Sequence, residues 1–335
     1  MMNGSAITDE MRRAIGIPTL PELPPEDVTI WGIHRYAAAT EDPNPLWRDE
    51  EYANKTRWGG VIAPPTFVEV YSPLNRIMRE TGGELAGLTA PFQLPFQSQL
   101  LAGEDFEFYL PIRPGDSISG RVVLGDIWEG KSRSTSGRLV FMREDKDYRN
   151  QKNELVSRVS WIRVFVETPP PAALAAPPVS PQRKVRPATV HPTQVHFEDV
   201  AVGMEIPSME KWVTMTTIAK WAGATGDVGT PHLDHEFAQT VYGLPGVVAH
   251  GPLNGAYLAQ LITNWMGGWG VFKKHSTRYR GSVRPKNIIT FHGKVVRKWV
   301  EQGEKMVECE TWAENQHGAR TATGVSVISL PARDS

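Results

Sequence analysis

Cysteine is nearly absent from this sequence of 335 residues, since Cys309 is its one example. A lone cysteine excludes an intramolecular disulfide and any metal site built from several cysteines. Neither sign of charge dominates, because 36 Lys and Arg stand against 37 Asp and Glu. That balance argues against a nucleic-acid-binding surface. The scarcity of cysteine is typical of a reducing compartment, and we predict a cytoplasmic location.

Targeting and membrane signals are also missing. The N-terminal segment MMNGSAITDEMRR has no apolar stretch of the kind found in a secretory signal. Asp, Glu, Lys and Arg are all absent from Phe237 to Phe272, but Pro245 and Pro252 interrupt this segment. We therefore predict a loop followed by a buried helix there, and no contact with a membrane.

Several nucleotide and hydrolase motifs are absent or misplaced. There is no G-x-G-x-x-G after a strand and no G-x-S-x-G. Residues 125–132, GDIWEGKS, match the phosphate-loop pattern, but the residues that follow are typical of a strand instead of a helix. Asp126 and Glu129 would also repel an anion. A hairpin between two strands is the better interpretation.

Proline is concentrated in one segment. Residues 168–192 contain eight of the 27 prolines and show no apolar period. Such a composition favours an extended linker. We predict a first domain over 1–167, a linker over 168–193 and a second domain over 194–335.

The two halves contain copies of one another in the same order. One block aligns without gaps at an offset of 185 residues, and a later one aligns at an offset of 171. The matched pairs are Arg35–Ala53 with Lys220–Ala238, Gly60–Phe67 with Gly246–Leu253, and Leu110–Ile118 with Gly281–Ile289. The repeats therefore predict that one folding unit is duplicated within the chain.

Each half has one long apolar segment followed by stretches rich in Val, Ile, Phe and Trp. Apolar spacing predicts a helix over Pro252–Met266, and the apolar segment Pro64–Arg79 is expected to form the equivalent helix of the first half. The later stretches are typical of antiparallel strands. They are Ile118–Trp128, Arg133–Arg143, Leu155–Val166, Ile288–Trp299, Lys305–Glu314 and Arg320–Leu330. The predicted class is α+β, with a sheet wrapped round a central helix in each half.

The second half carries the strongest chemical signal. In DVGTPHLD, a turn with Gly and Pro can bring the Asp227 carboxylate and the His232 imidazole together on one water. A carboxylate and an imidazole are suited to general acid–base work near neutral pH. Gly251 stands before Pro252 at a predicted helix start, where its amide can stabilise an oxyanion.

The same residues also fit purely structural roles. Asp227 is equally compatible with a turn cap and His232 with a surface position. Asp234 fits an N-cap, and His250 fits a bond to the loop backbone. A metal bound by His232, Asp234 and His235 is disfavoured by cramped spacing. We predict neither a metal nor a cofactor.

The stretches ATGDVGTPHLDHEFA and GVVAHGPLNGAYLA resemble the MaoC-like (R)-specific enoyl-CoA hydratases and dehydratases of the hot-dog fold. The first half resembles the fatty-acid-synthase-type dehydratase module through EDPNPLWRDEEYA, GGVIAPPTF and LPIRPGDSI. This resemblance implies a tandem, or double, hot-dog fold. It also implies hydration of a 2-enoyl thioester, or the reverse, with Asp227 and His232 activating water and Gly251 binding the thioester oxygen.

The sequence departs from the family pattern in both halves. Gly229 replaces the usual Asn, and the proline has moved to Pro231, so the hydrogen bonds of this loop must differ. In the first half Trp47 stands where the histidine belongs, and Pro64 and Pro65 replace His-Gly. Because Trp cannot exchange a proton here and Pro65 has no amide hydrogen, we expect the first half to be non-catalytic.

The implied substrate is an acyl-CoA or acyl-carrier-protein thioester. We assign His250 and Asn254 to substrate binding and expect the first half to line an acyl pocket. A non-catalytic acyl-binding or scaffold subunit and a hot-dog thioesterase are the alternative functions, and pairing into a homodimer is open. Aromatic residues of the first half fit either a pocket wall or a plain core: Trp58, Phe67, Tyr71, Phe92 and Phe96.

Overall fold

Ten antiparallel strands form one sheet in the computed structural model, which describes residues 5–82, 92–96, 98–131, 137–167, 185–191 and 193–333. The strands are β1 (Glu26–Asp27), β2 (Ser98–Phe108), β3 (Ser117–Lys131), β4 (Arg138–Arg149), β5 (Leu155–Val166), β6 (Glu205–Trp212), β7 (Val271–Tyr279), β8 (Ile288–Glu301), β9 (Glu304–Asn315) and β10 (Arg320–Ser329). Their order in the sheet is β1-β3-β4-β5-β2-β7-β10-β9-β8-β6.

The sheet is continuous from one half to the other through the β2–β7 pair. Five residue pairs form this antiparallel ladder, and its centre is Asp105 opposite Ser276. These two residues are 171 apart, which is the offset between the repeated segments Leu110–Ile118 and Gly281–Ile289. Equivalent positions therefore face each other, and a pseudo-twofold axis passes through this ladder.

Seven α-helices lie among the described residues. They are α1 (Asp9–Arg13), α2 (Ile30–Ala39), α3 (Glu50–Asn54), α4 (Pro73–Thr81), α5 (Met215–Thr225), α6 (His235–Thr240) and α7 (Gly251–Met266). The helices α2 and α5 pack against each other. At their contact the rings of Tyr36 and Trp221, which are equivalent at the 185-residue offset, lie 5.4 Å apart. The same pseudo-symmetry thus relates the helices.

The central helix of the second half is α7, as the charge-free segment predicts. It begins at Gly251-Pro252, where Pro occupies a position that has no intrahelical amide bond to lose. Every residue from Leu253 to Met266 is buried, and the helix ends at Gly267, whose φ of 80° and ψ of 174° suit a glycine. A helix enclosed on all sides needs no polar face, which explains why charge is missing from this segment.

The prediction of one helix over Pro64–Arg79 is wrong. The chain instead forms a 3-10 helix over Pro65–Tyr71, then α4 from Pro73. Ser72 lies between them in an extended conformation with φ of −59° and ψ of 124°. Proline lacks an amide donor and disfavours helical geometry in the preceding residue, so Pro73 divides the segment.

The predicted strands are observed with shifted ends. The largest shift is in β4, which runs to Arg149 where Arg143 was predicted; residues 132–136 lie outside the described residues. Strands β1, β2, β6 and β7 were not predicted. Residues 125–131 belong to β3 and pair with β4, so the phosphate-loop pattern falls on a strand, in agreement with the hairpin interpretation.

One apolar core extends through both halves and surrounds α7. A smaller cluster lies between α1, β3 and β4 and includes Met11 and Phe92. Residues 168–184 and 192 of the predicted linker lie outside the described residues. The described part, 185–191, runs beside β6, where the Arg186 amide donates to the Glu210 carboxylate at 2.8 Å. No helix within the described ranges combines the length and the apolar character that a membrane span requires.

Candidate active site

Three chain segments bring the predicted site residues together at the start of α7. Asp227 follows α5 directly, because Gly226 ends that helix in a left-handed conformation with φ of 79°. His232 lies on a 3-10 turn over Thr230–His232. His250 and Gly251 are the last residue before α7 and its first residue. Asp227 and Gly251, which are 24 residues apart in the sequence, therefore lie in the same region of the fold.

The side chains of Asp227, His232 and His250 converge. One carboxylate oxygen or ring nitrogen from each lies within 4.8 Å of the others. Nδ1 of His232 is 2.8 Å from the Val248 carbonyl oxygen, so this nitrogen carries the proton and donates. Its Nε2 consequently has a free lone pair beside the Asp227 carboxylate, an arrangement that can hold and activate one water molecule.

His250 contacts both Asp227 and His232. Its ring is fully buried and stacks on the His232 ring with centroids 3.8 Å apart. Nε2 of His250 donates to the Asp227 carbonyl oxygen at 3.0 Å, as the backbone-bonding alternative predicts. Burial, reinforced by the neighbouring His232, lowers the pKa of His250 to about 4, so it is neutral at physiological pH. His250 thus fixes the loop and the imidazole plane.

Gly229 leaves the space between the two reactive groups open. A Cβ atom at this position would lie 3.3 Å from Oδ1 of Asp227 and 3.4 Å from Cδ2 of His232. The equivalent residue of the first half, Asn44, uses its side chain to cap Leu46 N and to reach the Thr263 carbonyl oxygen. The hydrogen bonding of the two loops therefore differs, as predicted.

Gly251 is required by a close contact. A Cβ atom here would lie 3.0 Å from the ring of Tyr279. The amide of Gly251 belongs to the first turn of α7, whose amides have no acceptor within the helix. Positive potential at a helix start makes such an amide a suitable donor to a developing oxyanion. Asn254 is buried one turn further along.

A metal at the predicted alternative ligands is not supported. Asp234 instead caps α6 by accepting from the Phe237 amide at 2.9 Å, as its sequence position predicts. The side chains that do converge include two stacked rings inclined by 27°. Lone pairs of stacked imidazoles lie in nearly parallel planes and do not point at one ion, so this donor set favours a water molecule.

In the equivalent centre of the first half, the carboxylate is bonded to neighbouring groups of the chain. We call Asp42, Trp47, Pro64 and Pro65 the first-half centre. Oδ2 of Asp42 accepts from the Trp47 indole at 2.9 Å, and Oδ1 accepts from the Asn44 amide at 3.0 Å. Asp42 and Trp47 are both buried, and burial raises the pKa of the Asp42 carboxyl. Neither carboxylate oxygen is free to orient a water molecule.

Glu104 and Tyr279 are site neighbours that the sequence analysis missed. Glu104 on β2 accepts a hydrogen bond from the Tyr279 hydroxyl at 2.7 Å, across 175 residues of sequence. Its Oε1 would lie 2.2 Å from a Cβ atom at Gly255, so the carboxyl group rests against α7. Burial raises the pKa of Glu104 to about 8. The first half thereby contributes a neutral acid that holds Tyr279 against Gly251.

This buried acid predicts a pH dependence of stability. Between pH 6.5 and 8 the folded chain keeps a proton on Glu104 that the unfolded chain, with a pKa of 4.5, has lost. The contribution of Glu104 to the free energy of unfolding should therefore fall by about 1.5 kcal/mol as pH rises across this interval, and the difference between wild type and Glu104→Gln isolates it. Urea unfolding at both pH values measures this change, and Glu104→Gln should reduce it.

Three other shifted groups act in the opposite direction at the edges of this interval, because the unfolded chain binds more protons on them there than the folded chain does. The pKa values of His250 and His275 are lowered by burial to about 4 from 6.5, and that of Lys211 is lowered to about 8 from 10.5. An equal fall in wild type and Glu104→Gln would show that Glu104 is ionised in the folded protein.

Two family models match this chain, one in each half. Residues 14–159 match the model of the FAS1-like dehydratase domain region, and residues 199–316 match that of the MaoC-like domain. A solved structure described as a MaoC-like dehydratase covers 93% of this chain and 97% of its own, with a TM-score of 0.68 and 20% identity. The architecture is a double hot-dog fold.

Two sequence relatives extend the comparison. A UPF0336 protein of Thermobifida fusca is 30% identical over 149 residues, which are 44% of this chain and 90% of that protein. A "Probable enoyl-CoA hydratase alpha subunit" of Thermomonospora curvata is 29% identical over 156 residues, 44% of this chain and 47% of that protein. The chain therefore combines a FAS1-like dehydratase domain region over residues 14–159 with a MaoC-like domain over residues 199–316.

Proposed function

We propose that this chain adds water to the 2,3 double bond of enoyl thioesters, or catalyses the reverse dehydration, at Asp227 and His232. The observation that carries the proposal is that a carboxylate oxygen of Asp227 and a ring nitrogen of His232 lie within 4.8 Å of each other, while Nδ1 of His232 is held by the Val248 carbonyl oxygen. The family supports hydration and dehydration of enoyl thioesters in general. The residue roles below are our own assignment.

In the direction of hydration, one water molecule lies between Asp227 and His232. Asp227 takes a proton from this water while its oxygen bonds to C3 of the enoyl group. His232 orients the water and helps to return the proton to C2, which restores both side chains. The Gly251 amide stabilises the negative charge that develops on the thioester oxygen. Water is consumed and no other group is needed.

His250 has a positioning role in this scheme. It was assigned to substrate binding from the sequence, but its ring has 0% exposure and its Nε2 is bonded to the Asp227 carbonyl oxygen. We therefore assign it to holding the His232 ring and the Asp227 backbone. Asn254, in the first turn after Gly251, keeps its assignment to substrate binding.

The first-half centre is proposed to be non-catalytic. Asp42 is bonded to an indole that cannot accept a proton from water, and Pro65 has no amide hydrogen where Gly251 has one. The proposal therefore gives each chain one reaction centre, at Asp227 and His232.

The assay that tests this function uses crotonyl-CoA and two readouts. Hydration removes the conjugated double bond, so the absorbance of the enoyl thioester should fall while no free thiol appears. Release of thiol would instead identify a thioesterase, and an unchanged substrate would identify a non-catalytic binding protein. A panel of enoyl thioesters of increasing length and branching then defines the acyl group.

A further inference from the structure

A cavity lies at the first-half centre. It has a volume of about 270 Å³, and Trp47, Pro64 and Pro65 line it. These are the residues that correspond to His232, His250 and Gly251 at the sequence offsets of the repeat. The second half closes the other side with Met266 at the end of α7 and Val271–Lys273 on β7. Both halves therefore build this cavity, as both would build a reaction centre.

The cavity is separate from the proposed reaction centre. Gly251 and Met266 stand at opposite ends of α7, which has 16 residues. A rise of 1.5 Å per residue places these ends about 22 Å apart. A ligand in this cavity, beside Met266, is therefore remote from the Gly251 amide and from the water of Asp227.

Its lining is mostly apolar, and the described lining residues include no carboxylate and no imidazole. Ile62, Ala63 and Val68 contribute to the wall together with Trp58. Of the aromatic residues expected at an acyl pocket, Trp58 is on this wall, whereas Phe67 and Phe92 are in apolar clusters. An apolar cavity near the lower size limit of small-molecule sites suits an acyl chain.

Two cationic side chains are at its rim. Arg57 is exposed, with its guanidinium 5.5 Å from the Trp58 ring centroid. Lys273 is half-buried and forms an ion pair of 2.8 Å with Glu304. Both line the cavity. Positive charge beside an apolar cavity complements a ligand that has an apolar tail and a phosphate-bearing head.

We propose that this cavity is a second, unreactive binding site for acyl thioesters, with the acyl chain beside Trp47 and the phosphates of coenzyme A or of a carrier's pantetheine arm beside Arg57. The ligand class rests on the proposed function of the second half. The site keeps the shape of a hot-dog reaction centre, and it retains a thioester without hydrating it.

Octanoyl-coenzyme A tests the proposal, because its saturated chain has no double bond to hydrate. Calorimetric titration of the full chain should show two molecules bound per chain. Ala63→Leu, which fills the cavity, should abolish one of them. Arg57→Glu changes only an exposed residue and should weaken the same site at least about threefold at low ionic strength. Lys55→Glu, an exposed neighbour outside the lining, is the matched control.

The outcomes separate this inference from the proposed function. A single bound molecule whose affinity responds to neither Ala63→Leu nor Arg57→Glu would overturn the second site. If crotonyl-CoA is not hydrated but Ala63→Leu still removes a bound octanoyl-coenzyme A, the second site stands and the proposed function fails. If crotonyl-CoA is hydrated but octanoyl-coenzyme A binds at a single site that neither substitution affects, the proposed function stands and the second site fails.

Discussion

Asp227→Asn should lower the turnover of crotonyl-CoA hydration at least a hundredfold, since a positioned general base contributes about 10²–10⁴ in rate. The amide keeps the size of the carboxylate but cannot take a proton from water. His232→Ala should have an effect of the same size because it removes the second partner of that water. Steady-state rates, with circular dichroism to establish folding, measure both variants.

Asp42→Asn is the matched control, because the same substitution falls on the equivalent residue of the first half. Its amide nitrogen would meet either the Trp47 indole or the Asn44 amide, which are both donors. We expect the free energy of unfolding to fall by about 1–3 kcal/mol, with turnover nearly unchanged. Near-normal hydration by Asp227→Asn, or a hundredfold loss in Asp42→Asn, would reverse our assignment of the two centres.

The largest expected effect on stability is at Lys146. Its ammonium group is 2.9 Å from the Glu69 carboxylate, and the two side chains are only 1% and 3% exposed. Lys146→Met leaves Glu69 buried with the Tyr148 hydroxyl as a remaining donor. Because an uncompensated buried charge is costly, the free energy of unfolding should fall by about 3–5 kcal/mol. Urea or thermal unfolding measures the loss.

A double variant separates charge from packing. Glu69→Met with Lys146→Met removes both charges, and Met at 146 can still pack on the Trp161 ring that Lys146 covers at 3.2 Å. Much of the lost stability should therefore return. Lys55→Met, which breaks an exposed pair with Glu51, should cost less than about 0.5 kcal/mol. A double variant as unstable as Lys146→Met would show that shape, not charge, dominates at this position.

Repetition and hydrophobic pattern predicted much of the fold. The repeated segments predicted a duplicated unit, and the charge-free segment predicted the buried helix α7. The register of the β2–β7 ladder has the same offset of 171 residues but was not predicted. Strands β2 and β7 escaped prediction because the usual alternation is hidden by buried polar residues such as Glu104, His275 and Thr277. These side chains are buried with internal hydrogen bonds, a condition that only tertiary structure can supply.

For the candidate site, local sequence predicted the participants better than their roles. The spacing of Asp227, His232 and Gly251 predicts their proximity, and the structure brings the first two together. The stacking of His250 on His232 could not be foreseen, because it depends on the path of the chain between residues 232 and 250. Glu104 carried no signal at all, since its contact with Tyr279 exists only once the two halves share a sheet.

The ladder centred on Asp105 and Ser276 has an evolutionary consequence. In a homodimer, any change to one strand at such an axis is imposed on both ends, whereas covalent fusion lets each end diverge alone. Here one end joins Glu104 to Tyr279 by a hydrogen bond, and the positions related to them by the pseudo-twofold axis are His275 and Phe108. Joining the copies thus released them from symmetry, so that one end of the ladder could specialise in polar contacts around α7 and the other in aromatic packing.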